Sequence, residues 1–113
     1  MFQVEFYETE KGDSPVSDFL DSLSPKMSAK LVRLLELLEE KGTALRAPYS
    51  ELLEDGIFEL RCKFGSDITR VLYFFYSNGK IILTNGFVKK TQKTPSKEIK
   101  LAKQRRADWI KRN

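Results

Sequence analysis

Histidine is absent from this 113-residue chain, and cysteine occurs once, at Cys62. The first absence removes the commonest metal ligand and the usual acid–base side chain near neutral pH. The second excludes an internal disulfide, and a lone thiol cannot build a zinc site. Metal chemistry would have to rest on carboxylates, and the sequence holds no tight cluster of them, so no metal or other cofactor is expected. Long apolar runs are missing too: none approaches the roughly 20 residues of a membrane span. The first residues lack the basic-then-apolar pattern of a secretory signal. With one cysteine suited to a reducing compartment, the expectation is a cytoplasmic protein with no membrane partner. There are no repeats, low-complexity segments or linkers. Residues 1–113 therefore read as one domain, large enough to bury a core without metal or disulfide staples.

What the chain does have is segregated charge. From Lys89 to Asn113 there are ten Lys/Arg and two Asp/Glu, a local charge of +8, while residues 1–88 carry −4. The modest total of +4 hides this polarity. A basic end points to a polyanionic partner, with nucleic acid foremost. The most informative stretch is KKTQKTPSKEIKLA, Lys89 to Ala102. It follows an apolar strand and enters an amphipathic helix, with Lys89, Lys90, Lys93 and Lys97 set among Thr91, Gln92 and Thr94. Cationic side chains beside the unpaired N–H groups of a helix start are suited to phosphate. The competing reading is an ordinary solvated helix face.

Hydrophobic periodicity gives the order βααβββα. Residues 2–7 alternate Phe2, Val4 and Phe6 against Gln3, Glu5 and Tyr7, which predicts a half-buried strand. Ser14-Pro15 and Ser24-Pro25 each pair a capping serine with a proline at the first helical position. The first opens a short helix bearing Val16, Phe19, Leu20 and Leu23. The second opens a longer one with Met27, Leu31, Leu34, Leu35 and Leu38 on one stripe, stopped at Gly42. Residues 43–56 read as irregular, with a possible single turn near Ser50–Leu53. Strands follow at roughly 57–64, 68–76 and 80–88, the last two joined by Asn78-Gly79, a two-residue hairpin signal. Thr94-Pro95 repeats the cap-plus-proline device before a last helix to about Arg112, with Ile99, Ala102, Trp109 and Ile110 available for burial. The expected class is α+β: an antiparallel sheet with the helices packed on one face and the N-terminal strand at an edge.

In strand 57–64, Phe58, Leu60, Cys62 and Phe64 share one face and Ile57, Glu59, Arg61 and Lys63 the other. The apolar set is expected against the helices, leaving Glu59, Arg61 and Lys63 on an open face. Cys62 reads as a small buried hydrophobe, since a reactive thiolate needs an electropositive, polar setting. Arg70 is the anomaly of ITRVLYFFY, a strand apolar on both faces. A charge there is costly unless paired or functional. Either it pairs with Glu59 or Asp67, or its guanidinium is aimed at a phosphate.

The segments IFELR (57–61), TRVLY (69–73) and GFVKKTQKTPSKEIKLA (86–102) resemble the HigB-like, phage-associated branch of the RelE/ParE toxin superfamily. The shared C-terminal signature reads KK-T-x-KTP-x-x-EI-x-x-A, and the resemblance spans essentially the whole chain. It implies a compact RelE-like α+β domain. It implies the toxin of a type II toxin–antitoxin pair, held inactive by an antitoxin that analogy makes a helix-turn-helix protein from the adjacent gene. The implied activity is ribosome-dependent cleavage of mRNA by metal-free transesterification, in which fixed cations stabilise the phosphoryl centre. By the same resemblance Arg70 grips the scissile phosphate, and Lys89 and Lys90 are basic residues of the active site. Arg61 and Lys63, on the face read as open, and Lys93 and Lys97, of the basic turn, are the candidates for binding RNA.

The chain also departs from its superfamily. It has no histidine and no tyrosine after Tyr76, and the lysines of the first meander strand in RelE-type relatives fall on Ile57 and Glu59. The general base is left open between Glu59, with a raised pKa, and a lysine with a lowered one. Two other readings use the same scaffold: a ParE-like gyrase inhibitor, and a non-catalytic RNA- or antitoxin-binding module.

Overall fold

The computed structural model describes residues 1–89 and 93–113, and for Lys89 it describes the backbone. Strand β1 (Gln3–Phe6) leads into helices α1 (Pro15–Ser22) and α2 (Pro25–Lys41). Strands β2 (Ser50–Glu54), β3 (Ile57–Phe64), β4 (Asp67–Tyr76) and β5 (Lys80–Lys89) follow, and helix α3 (Ser96–Arg112) ends the chain. The α+β class and the expected order hold, with one strand added. Residues 50–54, expected to be irregular, form β2 on the outer edge of β3. Asp55 and Gly56, at φ 50° and 74°, make the turn between them.

The five strands lie in the order β1-β5-β4-β3-β2. Strands β2 to β5 form an antiparallel meander, whereas β1 joins β5 in parallel, Gln3 opposite Lys80. The long path through both helices and the meander allows that parallel return. On its outer side the Val4 N–H donates to Glu39 of α2 at 2.8 Å, which satisfies an edge group. The loop between β4 and β5 is one residue longer than the two expected: Ser77, Asn78 and Gly79 link the paired Tyr76 and Lys80, with Asn78 and Gly79 at positive φ of 65° and 75°.

The helices divide between the two faces of the sheet, where one face was expected to carry them all. On one side α1 and α2 pack Val16, Met27, Leu31, Leu35 and Leu38 against Leu60, Cys62, Val71, Tyr73 and Leu83. On the other, Ala102 and Trp109 of α3 cover Ile57, Leu72, Phe74 and Ile82. The cause lies in β4. Its alternate residues are apolar in both directions, so each face needs a cover. The leucine stripe of α2 is buried as its spacing predicts. Truncating a side chain such as Leu31 or Leu38 to alanine would cost roughly 2–5 kcal/mol. In α3, Ile110 proves exposed while Ala102 and Trp109 are buried. Trp109 meets Phe74 and Tyr76 edge-on, at centroid distances of 5.9 and 4.9 Å.

Of the three serine or threonine caps expected, one forms: the Ser24 hydroxyl accepts from the Met27 N–H at 3.3 Å. Ser14 makes no side-chain cap. Helix α3 starts one residue later than the cap-plus-proline pattern predicts, with Pro95 at its cap position, and the Thr94 hydroxyl is used elsewhere.

Candidate functional site

The pairing register brings the charged residues of β3 and β4 together. Arg61 lies directly opposite Arg70, and Glu51 of β2 directly opposite Glu59. Like charges facing each other across a ladder repel. Here the two rows are offset by two residues along β3, so Glu59 meets both arginines. Its Oε1 accepts from Arg61 Nε at 2.6 Å, and its Oε2 stands 3.5 Å from Arg70 Nη1. Arg61 also donates from Nη2 to Glu51 at the rim. Two cations and two anions alternate and sum to zero.

Thr94 closes this cluster from the far side of the chain. Its hydroxyl donates to Glu59 Oε2 and accepts from Arg70 Nη1 at 3.3 Å. The basic turn between β5 and α3 is thereby tied to the middle of β3. Glu59 is fully buried and Arg70 is 1% exposed, whereas the Arg61 side chain keeps 31% of its surface. The open face expected around Glu59 does not exist, because α3 and Thr94 cover it. Of the two partners considered for Arg70, Glu59 is the one in contact. Partial burial pulls the Arg61 pKa down, but Glu59 and Glu51 outweigh it and raise the net value. Arg61 is a fixed cation with one side toward water.

Around this cluster lie exposed lysines. Lys63 is two residues beyond Arg61 on β3 and opposite Ile68, which in turn faces Lys89 on β5. Lys63, Lys93 and Lys97 are all exposed. Lys63 and the backbone of Lys89 therefore share one end of the sheet, two strand spacings or about 10 Å apart. Lys90 lies outside the described residues, as does the side chain of Lys89.

Other residues hold α3 against the sheet and escaped the sequence reading. A bulge in β5 admits Thr84 as an extra residue between the pairs Tyr73–Leu83 and Leu72–Asn85. Thr84 donates to Asn85 at 2.6 Å, Asn85 donates to the Glu98 side chain at 3.0 Å, and Arg105 donates to the Thr84 carbonyl at 2.9 Å. Burial lowers the Arg105 pKa. The signal was present: Thr84 and Asn85 are polar residues inside an apolar strand, and such groups need partners.

Cys62 is buried, as expected, and burial raises its pKa despite Lys30 nearby, so it stays a thiol at neutral pH. It lines a groove of about 520 Å³ between α2 and β3. Among the described residues no group of three or more His, Cys, Asp or Glu side chains could hold a metal ion. Nor is any described helix long and apolar enough to cross a membrane.

Among known families, the one described as Phage derived protein Gp49-like (DUF891) matches residues 18–107. That stretch contains α2, strands β2 to β5, most of α3 and every residue of the charged cluster. No curated protein matches the chain.

Proposed function

The chain belongs to the Gp49-like family of phage-derived proteins, and from that membership we propose that it is the toxin of a type II toxin–antitoxin pair, acting as a ribosome-dependent mRNA endoribonuclease. The observation that carries the reading is Arg61, held by Glu59 and Glu51 beside exposed Lys63, at the end of the sheet that leads to the basic turn. Such a surface offers several cations to one stretch of phosphate backbone.

In the proposed reaction the ribose 2′-oxygen attacks the adjacent phosphorus as its proton passes to a base. The bond to the 5′-oxygen breaks, and that oxygen takes up a proton. The products are a 2′,3′-cyclic phosphate and a 5′-hydroxyl. The protein's part is to hold positive charge where the phosphoryl oxygens gather it. Arg61 reaches that position as it stands. Arg70 stands behind it, paired with Glu59 and bonded to Thr94, and Lys89 and Lys90 are proposed as further cations from the basic turn. Both Glu59 oxygens are engaged, which favours a positioning role for Glu59 and leaves the base to a lysine or to the ribosome. The partners proposed are the ribosome with its mRNA and an antitoxin, by analogy a helix-turn-helix protein from the neighbouring gene.

One observation favours a non-nucleolytic second reading, a gyrase inhibitor or docking module. Among the described residues of the cluster there is no open acid–base pair. Expression of the chain with and without its neighbouring gene separates the readings. Arrested protein synthesis with cleaved mRNA, relieved by the neighbour, supports the nuclease. Loss of DNA supercoiling with intact mRNA supports the gyrase reading. Normal growth with folded protein present removes the toxin proposal altogether.

A further inference from the structure

The groove between α2 and β3 lies beside the charged cluster but is built differently from it. Its floor is aliphatic, with Leu34 and Leu37 of α2 facing Ile68 of β4, and its volume of about 520 Å³ is that of a binding cleft. Lys30, Arg33, Arg61 and Lys63 line it, and among the described lining residues there is no carboxylate. It opens where β2 stops covering β3. Ser50–Leu60 is the outermost pair of that ladder toward the groove, and beyond it the Arg61 N–H is taken by the Tyr49 carbonyl at 2.8 Å. Tyr49 and Phe64, 47% and 39% exposed, extend the apolar surface at the rim.

We propose that this groove docks an acidic amphipathic helix of a partner protein, its apolar side chains seated on the Leu34–Leu37–Ile68 floor and its carboxylates on the surrounding cations. Lys30, Arg33 and Lys63, beside an Arg61 already paired with Glu51 and Glu59, give a lining that carries no carboxylate among the described residues and calls for an anionic occupant. The aliphatic floor calls for aliphatic or aromatic anchors, as in helix-in-groove recognition. RNA fits the charge but not the floor. Bases need stacking planes and edge donors or acceptors, and among the described lining residues Tyr49 is the lone aromatic. Arg61 belongs to both the groove and the cluster, so a docked carboxylate would compete with Glu51 and Glu59 for it. The inference rests on the toxin reading only for who the partner is, because the groove can be tested without any partner gene.

The test uses the whole chain and two fluorescein-labelled helical peptides. Both carry leucine at i, i+3, i+4 and i+7. One has glutamate at its flanking positions and the other lysine. A single-stranded RNA of similar length is the third probe. Fluorescence anisotropy should show binding of the glutamate peptide, no binding of the lysine peptide, and weakening as salt rises. Arg33→Glu, at an exposed position of α2, and Tyr49→Ala, at the exposed rim, should each weaken the glutamate peptide at least about tenfold. Circular dichroism should report both variants folded. The proposal is overturned if the glutamate peptide fails to bind the parent chain, or if it binds both folded variants as tightly as the parent. It is equally overturned if Arg33→Glu weakens the RNA probe alone. Failure of the nuclease reading, by contrast, would leave peptide binding untouched.

Discussion

Arg70 Nη1 stands 3.5 Å from Glu59 Oε2, and neither side chain has appreciable contact with solvent. Charges buried in this way stabilise a fold only as a set. Each ion loses its hydration, and what offsets that loss is the partner together with the hydrogen bonds to the remaining oxygens. Arg61 and Thr94 supply those bonds here.

Removing one member should therefore cost more than removing both. Arg70→Met leaves Glu59 buried with one partner fewer, for an expected loss of roughly 3–5 kcal/mol. The double variant Glu59→Leu/Arg70→Met should recover much of that, since neither buried charge is left behind. Urea denaturation of the parent, both single variants and the double variant measures the coupling. Additive losses would show that the pair does not act as a unit. Activity measured on Arg70→Met alone would confuse the missing charge with a damaged fold, so the rates need these stabilities beside them.

Thr94 is expected to be a structural tie as well as part of the basic turn. Thr94→Val keeps the shape but removes the hydroxyl that bridges Glu59 and Arg70. It should destabilise by about 1–3 kcal/mol, the usual consequence of leaving a buried acceptor short of a donor. Thr94→Ser should lose much less. Equal stability of Thr94→Val and the parent would mean that the tie contributes nothing.

The fold was legible where periodicity and turn chemistry agree. The α2 stripe from Met27 to Leu38, the Asn78-Gly79 hairpin and the burial of Cys62 all follow from spacing. Strand β2 was missed although its signal was present. Asp55-Gly56 is as good a hairpin dipeptide as Asn78-Gly79, but SELLE before it alternates poorly, because edge residues such as Leu52 stay 56% exposed. The second helical layer was also implied, by a β4 apolar in both directions, whereas the charged alternate residues of β3 (Glu59, Arg61 and Lys63) pointed wrongly to an open sheet face. For the site, the anomaly of Arg70 was visible as a charge in an apolar strand. Thr94 was not, because its hydrogen bond to Glu59 joins residues 35 positions apart. A threonine before a proline reads first as a local cap, and only tertiary packing reveals the longer reach.

Asp108 should shape the acid side of the stability profile. Its carboxylate accepts from Arg112 at 2.7 Å and from the Tyr7 hydroxyl at 2.7 Å, and these bonds, Arg112 first, hold its pKa below the usual carboxylate value. Burial first, and then Asp108, raises the pKa of Tyr7, so the phenol remains a donor at neutral pH. A group whose pKa is lower folded than unfolded binds protons more weakly in the native state. Its contribution is complete above the unfolded value of about 3.9 and is lost as pH falls through the folded value. Asp108→Asn should thus be less stable than the parent near neutrality, and the gap should close in acid. A gap that does not change with pH would assign its effect to packing.

The basic end can be tested as a phosphate-binding surface by comparing Lys97 with Arg61. Lys97 is exposed on the first turn of α3, where a negative charge suits the helix dipole. Lys97→Glu should leave stability within about 0.5 kcal/mol of the parent. If Lys97 pairs with phosphate, the salt dependence of single-stranded RNA binding should flatten by about 0.7 in the log–log slope for each phosphate no longer neutralised. Lys63→Glu, at an exposed position, should act likewise, and Lys93→Glu should flatten the slope in the same way. Arg61→Ala should differ from all three, because Arg61 Nε is bonded to the buried Glu59 at 2.6 Å. It should lower stability and flatten the slope together. Filter binding across a salt series, with denaturation curves for each variant, reads both quantities. Unchanged slopes in all three lysine variants would mean that the charge segregated at this end serves some purpose other than holding RNA.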